Sequence, residues 1–387
     1  MNYLQSAQAL YEQMVRDRRH LHQHPEVGMD LPETCSYIMA RLTEMGYQPR
    51  RLGGGVTATV TGKPDGKVFL LRADMDALPM REESGLPFAS QRSCAHTCGH
   101  DMHTAMLLGA AQLLRDRAAE LNGTVKFMFQ PGEEVLSGAR SMIEAGILED
   151  PHVDAAMGAH MIPMIPAGLG GYGTGVVSAS SDHLVIRVEG RGGHGAHPQS
   201  TVDPINIGVH IHLALQELLS READPAELVV LTFGKFQGGD AANIIPSSAV
   251  LEGTLRTFSE PLRTHLLERI DTICTCTAEA FRGRAQVTDL CSTCSLQIDG
   301  DTAAAVAQGW QREGLKMLQR GEKMSGSEDF AEIAARVPST FFVVGGGTAQ
   351  DGCGVSLHNP KIRFREEALI YGAAAYASGA AMWLELH

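Results

Sequence analysis

The chain has 387 residues, 44% of them hydrophobic, and carries 32 Lys and Arg against 45 Asp and Glu, a net charge of −13. That balance lacks the positive footprint of a nucleic-acid or anionic-membrane partner, and no stretch approaches the ~18 consecutive apolar residues of a membrane span. One hydrophobic core usually stops growing below this length, so two domains are expected.

The polar start Met1-Asn2-Tyr3-Leu4-Gln5-Ser6, soon followed by Arg16, Asp17, Arg18 and Arg19, lacks the apolar core of a signal peptide and predicts a cytoplasmic enzyme. Residues 33–46 pattern as a helix ending at Gly46, and Val56–Thr61 and Lys67–Arg72 as strands about the turn Pro64-Asp65-Gly66. From Met102, apolar residues recur at Ala105, Met106, Gly109, Ala110, Leu113 and Leu114, a helical period. Thr124–Gln130 alternates Val125, Phe127 and Phe129 until Pro131-Gly132 ends the strand. Helix 137–146 and strand Val153–Gly158 follow. Such alternation predicts an α/β domain, a mixed and mainly parallel sheet with flanking helices.

Between 181 and 290 the order changes. Strand Leu184–Glu189, helix 203–220, strands 227–236 and 249–257, helix 260–282 and strand 284–290 give β-α-β-β-α-β. That is the ferredoxin-like arrangement, a self-contained unit. Helices 301–316 and 327–336, strand Phe341–Gly345 and helix 366–385 then resume the first pattern. The chain is therefore expected to hold one domain from 1–180 and 291–387, with 181–290 inserted.

Cys98, His100, Glu134, His160 and His358 are metal-ligand residue types, each in or beside a turn marked by Gly or Pro. His100, Glu134, His160 and His358 are far apart in sequence and can meet only through the fold. In an open α/β sheet, function gathers at the carboxyl ends of the strands. Glu133 and Glu134 follow strand 124–130, and His160 follows strand 153–158. Five such residues exceed one closed tetrahedral site, which points to two adjacent ions sharing ligands and activating a water. A thiolate or carboxylate can bridge two dications, and imidazoles complete each shell. Glu133, beside a ligand, is then free to move the proton. Asp74 and Asp76, at the end of strand 67–72, suit groups that orient ligating imidazoles. His103, three positions beyond His100, is expected to cap or pack instead.

Two other motifs carry less. Gly168-Leu-Gly170-Gly-Tyr-Gly173 matches a dinucleotide fingerprint, yet Pro163 and Pro166 precede it where a strand is required and no clear helix follows. Cys291-Ser-Thr-Cys294, with Cys274 and Cys276 nearby, has no second pair and no histidine pair, so ordinary thiols are expected.

Together the motifs resemble the M20 family of metallopeptidases, nearest its amidohydrolase branch of hippurate hydrolases, indole-acetyl-amino-acid hydrolases and N-acyl-amino-acid deacylases. The residues carrying the match are His24-Pro25-Glu26, Leu71 to Pro79, Cys98-Gly-His-Asp101, Pro131-Gly-Glu-Glu134, Gly158-Ala-His160, Gly190 to Pro198, Asn243-Ile-Ile-Pro246, Gly326-Ser-Glu-Asp-Phe330 and His358-Asn-Pro360. They span nearly the whole chain in the family order. The resemblance implies a catalytic domain carrying two divalent ions and an inserted dimerisation domain. It assigns Cys98, His100, Glu134, His160 and His358 as ligands and Glu133 as general base. His194 matches a histidine that reaches across a homodimer, or a tetramer of dimers, into the second subunit's site. Asn243 and Arg256 match substrate-binding residues, Arg256 suiting a carboxylate. Met102, Ala159, Met161 and Gly195 depart from the branch's usual residues beside the site.

The expected substrate is an N-acyl-L-amino acid, cleaved to a carboxylic acid and a free amino acid. Mixed sulfur, nitrogen and oxygen ligation suits zinc or manganese, and also cobalt or nickel. A dipeptidase or carboxypeptidase of the same fold is the alternative, although no acidic partner for a free substrate amine stands out. A non-catalytic metal-binding sensor is a third reading, opposed by the intact Glu133.

Overall fold

The computed structural model describes residues 2–321 and 323–387. The chain opens with two helices that the sequence reading did not identify, α1 (Tyr3–Ala9) and α2 (Tyr11–Gln23), and continues with α3 (Pro32–Glu44). The reason lies on the inward face of α2. It buries Met14, Val15 and Leu21 together with Asp17, Arg18 and His22, so three ionisable groups interrupt the apolar period. Those groups are paired: Arg18 Nε donates to Asp101 at 2.8 Å, and His22 bridges Asp101 at 2.9 Å and Glu82 at 3.0 Å.

Next come β1 (Arg50–Leu52), β2 (Gly55–Thr61), β3 (Val68–Asp74), α4 (His100–Asp116), β4 (Thr124–Gln130), α5 (Gly138–Glu144), β5 (Ala155–Ile162), β6 (Leu169–Tyr172) and β7 (Gly175–Ser178). After these follow β8 (Ser181–Glu189), β9 (Gly193–His194), α6 (Pro204–Glu217), β10 (Val229–Gly238), β11 (Ile244–Ile245), β12 (Ser248–Thr257), α7 (Glu260–Ala280) and β13 (Arg284–Thr293). The chain closes with β14 (Leu296–Ile298), α8 (Gly300–Glu313), β15 (Lys316–Gln319), α9 (Ala331–Ala334), β16 (Ser339–Gly345) and α10 (Ala368–Leu386).

Two compact units result, one of Met1–Val177, Leu296–Glu322 and Glu328–His387, the other of Ser178–Ser295 and Lys323–Ser327. In the first, eight strands form one sheet in the order β1-β2-β4-β3-β5-β16-β6-β15. Strands β4, β3, β5 and β16 run parallel at its centre. The pairs β2–β4 and β6–β16 are antiparallel, which makes the sheet mixed. The strands flanking the Pro64–Gly66 turn do not pair with each other, because β4 lies between them. Every residue of β3 and β4 is buried, as expected where helices cover both faces of a parallel core. Phe69, Leu71, Phe127, Trp310, Phe342 and Tyr376 belong to that core.

Because β3 and β4 are parallel and in register to Asp74↔Gln130, their carboxyl ends open at one edge. The segments that follow them, Met75–Asp76 and Pro131–Glu134, therefore emerge side by side. Helix 327–336 of the sequence reading shrinks to the single turn of α9. Glu328 and Asp329 turn their carboxylates to Arg72, and Glu328 also accepts the N–H of Phe330 at 3.0 Å. Side chains that compete for backbone donors in this way delay a helix start.

In the second unit β10-β12-β8-β13 form an antiparallel sheet. Leu184, Ile186 and Val188 alternate inward along β8, and Leu251 and Leu255 do so along β12. They pack with Ile207, Ile211 and Leu215 of α6 and with Leu266, Ile270, Cys274 and Ala278 of α7, stripes at helical spacing. Segment 323–327, expected in the larger domain, joins this unit instead. Ala179 N–H donates to the Met324 carbonyl at 3.1 Å, and Arg256 donates to the Ser325 carbonyl at 3.3 Å. Among the described residues, no helix is long and apolar enough to cross a membrane.

Candidate metal centre

The ligand-type residues gather at the carboxyl edge of the first unit's sheet. Gly99, at φ +95°, makes the left-handed turn between Cys98 and the first residue of α4, and a Cβ there would lie 3.1 Å from the Phe364 ring. That turn points His100 inward. Its Nδ1 lies 2.9 Å from the Asp76 carbonyl oxygen, which only accepts, so Nδ1 donates and Nε2 keeps its lone pair. His160 repeats the device, with Nδ1 donating to the Met161 carbonyl at 2.7 Å and Nε2 set 3.4 Å from Cys98 Sγ.

Donor atoms of Cys98, His100 and His160 lie within 4.8 Å of one another, and so do those of Cys98, Glu134 and His358. Cys98 is the common corner of two three-residue groups. Glu134 Oε1 stands 3.5 Å from His358 Nε2 and 3.9 Å from His100 Nε2. His358 reaches its place from a strained backbone, φ +61°, with its N–H on the Thr97 carbonyl at 3.0 Å. The buried atoms His100 Nε2 and Glu134 Oε1 have no hydrogen-bond partner. Orphaned buried acceptors converging on a thiol are what divalent cations satisfy, and the sulfur, nitrogen and oxygen set suits transition metals. The donors present fit two ions sharing Cys98.

Asp74, His100 and His103 also cluster, but two of the three are already engaged. His103 is fully buried, with Nδ1 on Asp74 Oδ1 at 2.6 Å and Nε2 accepting the Met161 N–H at 2.7 Å. Asp74 also receives Arg72 Nη1 at 2.7 Å. Its hydrogen-bonded imidazole is thus that of His103, while His100 Nε2 stays 3.8 Å away. Asp76 serves twice: its carbonyl orients His100, and its carboxylate accepts the backbone N–H groups of Glu133 at 3.0 Å and Glu134 at 3.2 Å.

Burial governs the protonation of these groups. It pushes the Cys98 thiol and the Glu133 carboxyl well up, the latter helped by Glu328 and Glu134. It also holds His103 down, to about 4. At His100 burial opposes charging, yet without a metal Asp74 and Cys98 outweigh it and raise the ring well above the usual histidine range; the Nε2 lone pair is the one a dication takes in exchange for that proton. A bound dication adds the missing positive charge and favours the thiolate. Glu133 Oε2 lies 3.9 Å from His100 Nε2, at the edge of the donor set.

Sequence reasoning named the ligand types but gave no role to Arg72. It is fully buried and donates to Gln130 at 2.8 Å, Asp74 at 2.7 Å, Glu328 at 2.9 Å and Asp329 at 2.8 Å, tying the ends of β3 and β4 to the segment before α9. An arginine following the apolar run of β3 and two positions before Asp74 was the available signal.

The remaining expected residues lie in the second unit. β9 pairs with β11, placing His194 opposite Ile244, and Gly195 N–H donates to the Asn243 carbonyl at 2.8 Å. His194 Nδ1 accepts the Ala196 N–H at 3.0 Å, so its proton sits on Nε2. Arg256 is on β12.

Residues 70–381 match the family described as Peptidase family M20/M25/M40. The chain belongs to that family. An N-acetylcysteine deacetylase of Bacillus subtilis is 35% identical over 97% of this chain and 98% of its own length. An IAA-amino acid hydrolase of Arabidopsis thaliana is 36% identical over 97% of this chain and 86% of its own length. A solved dinuclear metal-binding peptidase of the M20 family from Bacillus subtilis superposes with a TM-score of 0.82 at 34% identity, over 98% of this chain and 99% of that one. This M20 chain is thus a hydrolase of amides.

Proposed function

We propose that the protein hydrolyses the amide bond of N-acyl-L-amino acids, releasing a carboxylic acid and a free amino acid. The observation that carries this reading is Glu133, poised at the edge of two donor groups that share one cysteine. The activities of two similar proteins, deacetylation of N-acetylcysteine and hydrolysis of IAA-amino acids, support an acylated amino acid over a free peptide.

Cys98, His100 and His160 would hold one ion, and Cys98, Glu134 and His358 the other. Two divalent ions held there, zinc or manganese with cobalt or nickel also suited, would supply a water of lowered pKa and positive charge against a developing oxyanion. Glu133 accepts the proton of the attacking water as its oxygen bonds to the amide carbon. Glu133 then delivers that proton to the amide nitrogen as the carbon–nitrogen bond breaks, leaving a carboxylic acid and an amine. Asp76 holds Glu133 in place for both transfers through the backbone N–H.

Residues 181–290 are read as a ferredoxin-like dimerisation module, a view supported by the β-α-β-β-α-β order and the strand order β10-β12-β8-β13. In a homodimer, His194 would donate its Nε2 proton to the oxyanion in the second copy's site. Such a preorganised donor is typically worth ~100- to 1,000-fold in rate. Asn243 and Arg256 would bind the substrate, Arg256 its carboxylate.

The test is free amino-acid release by the manganese- or zinc-supplied protein across a panel of N-acyl-amino acids and dipeptides. Release from acylated substrates is the expected result and names the acyl class. Release from dipeptides alone would replace this reading with a peptidase, and no release from any substrate with metal bound would favour a sensor.

A further inference from the structure

His103 is not among the donors of either Cys98 group, yet both its ring nitrogens are committed, and one of them leads to a ligand. β5 pairs with β3 only as far as Arg72↔Gly158. Past that point the Met161 N–H finds His103 Nε2, at 2.7 Å, in place of a strand carbonyl. The opposite nitrogen, Nδ1, lies 2.6 Å from Asp74 Oδ1. A carboxylate only accepts, so the ring proton is on Nδ1 and the lone pair faces Met161. Asp74 is in turn fixed by Arg72 Nη1 at 2.7 Å.

Met161 carries the effect onward. Its carbonyl accepts His160 Nδ1 at 2.7 Å, the bond that leaves His160 Nε2 facing Cys98 Sγ at 3.4 Å. The rings of His103 and His160 also meet edge to face, with centroids 4.6 Å apart. One connected path therefore runs from Arg72 through Asp74, His103 and the Met161 backbone to His160.

We propose that His103 is a positioning residue for His160: through its Nε2 acceptor it holds the Met161 backbone, which sets the tautomer and ring direction of His160. The inference rests on the metal reading above and assigns the effect to the ion bound by Cys98, His100 and His160. The two histidines of α4 thus divide their work, one ligating and the other aiming a ligand on a different strand.

The test is a Co2+ titration of the apo full-length protein, followed by visible d–d bands and the near-ultraviolet thiolate charge-transfer band. H103Q places an amide oxygen near the Nε2 position and keeps the acceptor for Met161. H103N keeps the donor to Asp74 but is too short to reach Met161. Wild type should take up two Co2+ per chain. In H103N one of the two should bind about 10- to 100-fold more weakly, the usual range when a ligand's outer support is lost, while H103Q recovers most of that loss. Should H103N not fold, H103L fills the ring's volume without an acceptor and serves for the same comparison. Two-ion binding at wild-type affinity in the acceptor-less variant, or equal losses in it and H103Q, would overturn the proposal while leaving the metal reading intact. Wild type with no Co2+ spectrum would contradict the metal reading itself, and this inference with it.

Discussion

Asp76 Oδ1 accepts the backbone N–H of Glu133 at 3.0 Å, so the proposed base is held by an aspartate from the neighbouring strand's end. The second oxygen of Asp76 does the same for Glu134 at 3.2 Å, which positions base and ligand together. Asp76→Ala removes both acceptors from a fully buried site. The expected outcome is a fall of about 10- to 100-fold in kcat with weakened metal retention, and Asp76→Asn, which keeps one oxygen, should fall between. Steady-state kinetics beside metal analysis checks this; an unchanged kcat in Asp76→Ala would remove the clamp from the account.

Cys98 is the atom that both donor groups need. Cys98→Ser should therefore lower metal content under stringent chelation, because a neutral hydroxyl is a poor bridge between dications. Cys98→Asp, whose carboxylate can bridge, should retain more metal than Cys98→Ser. Metal content equal to wild type in Cys98→Ser would take Cys98 out of the ligand set.

Lys126 gives a pH dependence remote from the chemistry. Burial lowers its ammonium to about 8, although Nζ reaches the Pro151 carbonyl at 3.3 Å. Between about pH 8 and the ordinary lysine value of 10.5 the unfolded chain holds the proton that the folded chain has released, so stability rises with pH through that window. The burden is full below pH 8 and relieved above 10.5. Urea unfolding of wild type and Lys126→Met at pH 7.5 and 10.5 should show the wild type gaining on the variant as pH rises. A constant difference would mean that Lys126 stays charged throughout.

The homodimer reading of His194 predicts complementation. Mixing His194→Ala chains with Glu133→Ala chains should restore part of the activity, since one site in each mixed dimer regains both groups. No recovery in confirmed mixed dimers would place the action of His194 within its own chain.

Much of the fold was legible where one rule dominates. Thr124–Gln130 was bounded correctly because alternating aromatics end at Pro131-Gly132. The His100 helix was found from its apolar period. What escaped was polar and buried. Asp17, Arg18 and His22 hid α2: Asp17 is met by Tyr37 and Arg41 of α3, while the partners of Arg18 and His22, Asp101 and Glu82, are 60 or more positions away. Glu328 and Asp329 shortened a helix for the sake of Arg72, some 250 residues earlier. The candidate ligands could be nominated by residue type and turn position, but the sharing of Cys98 and the separate tasks of His100 and His103 depend on distances that no spacing encodes.

The most direct measurement is made on Glu133→Ala, with bound metal per chain and turnover of an N-acyl-amino acid determined on the same preparation. The account predicts two ions retained and turnover reduced by about 100- to 10,000-fold, the range for loss of a general base. Near-normal turnover with both ions bound would contradict it.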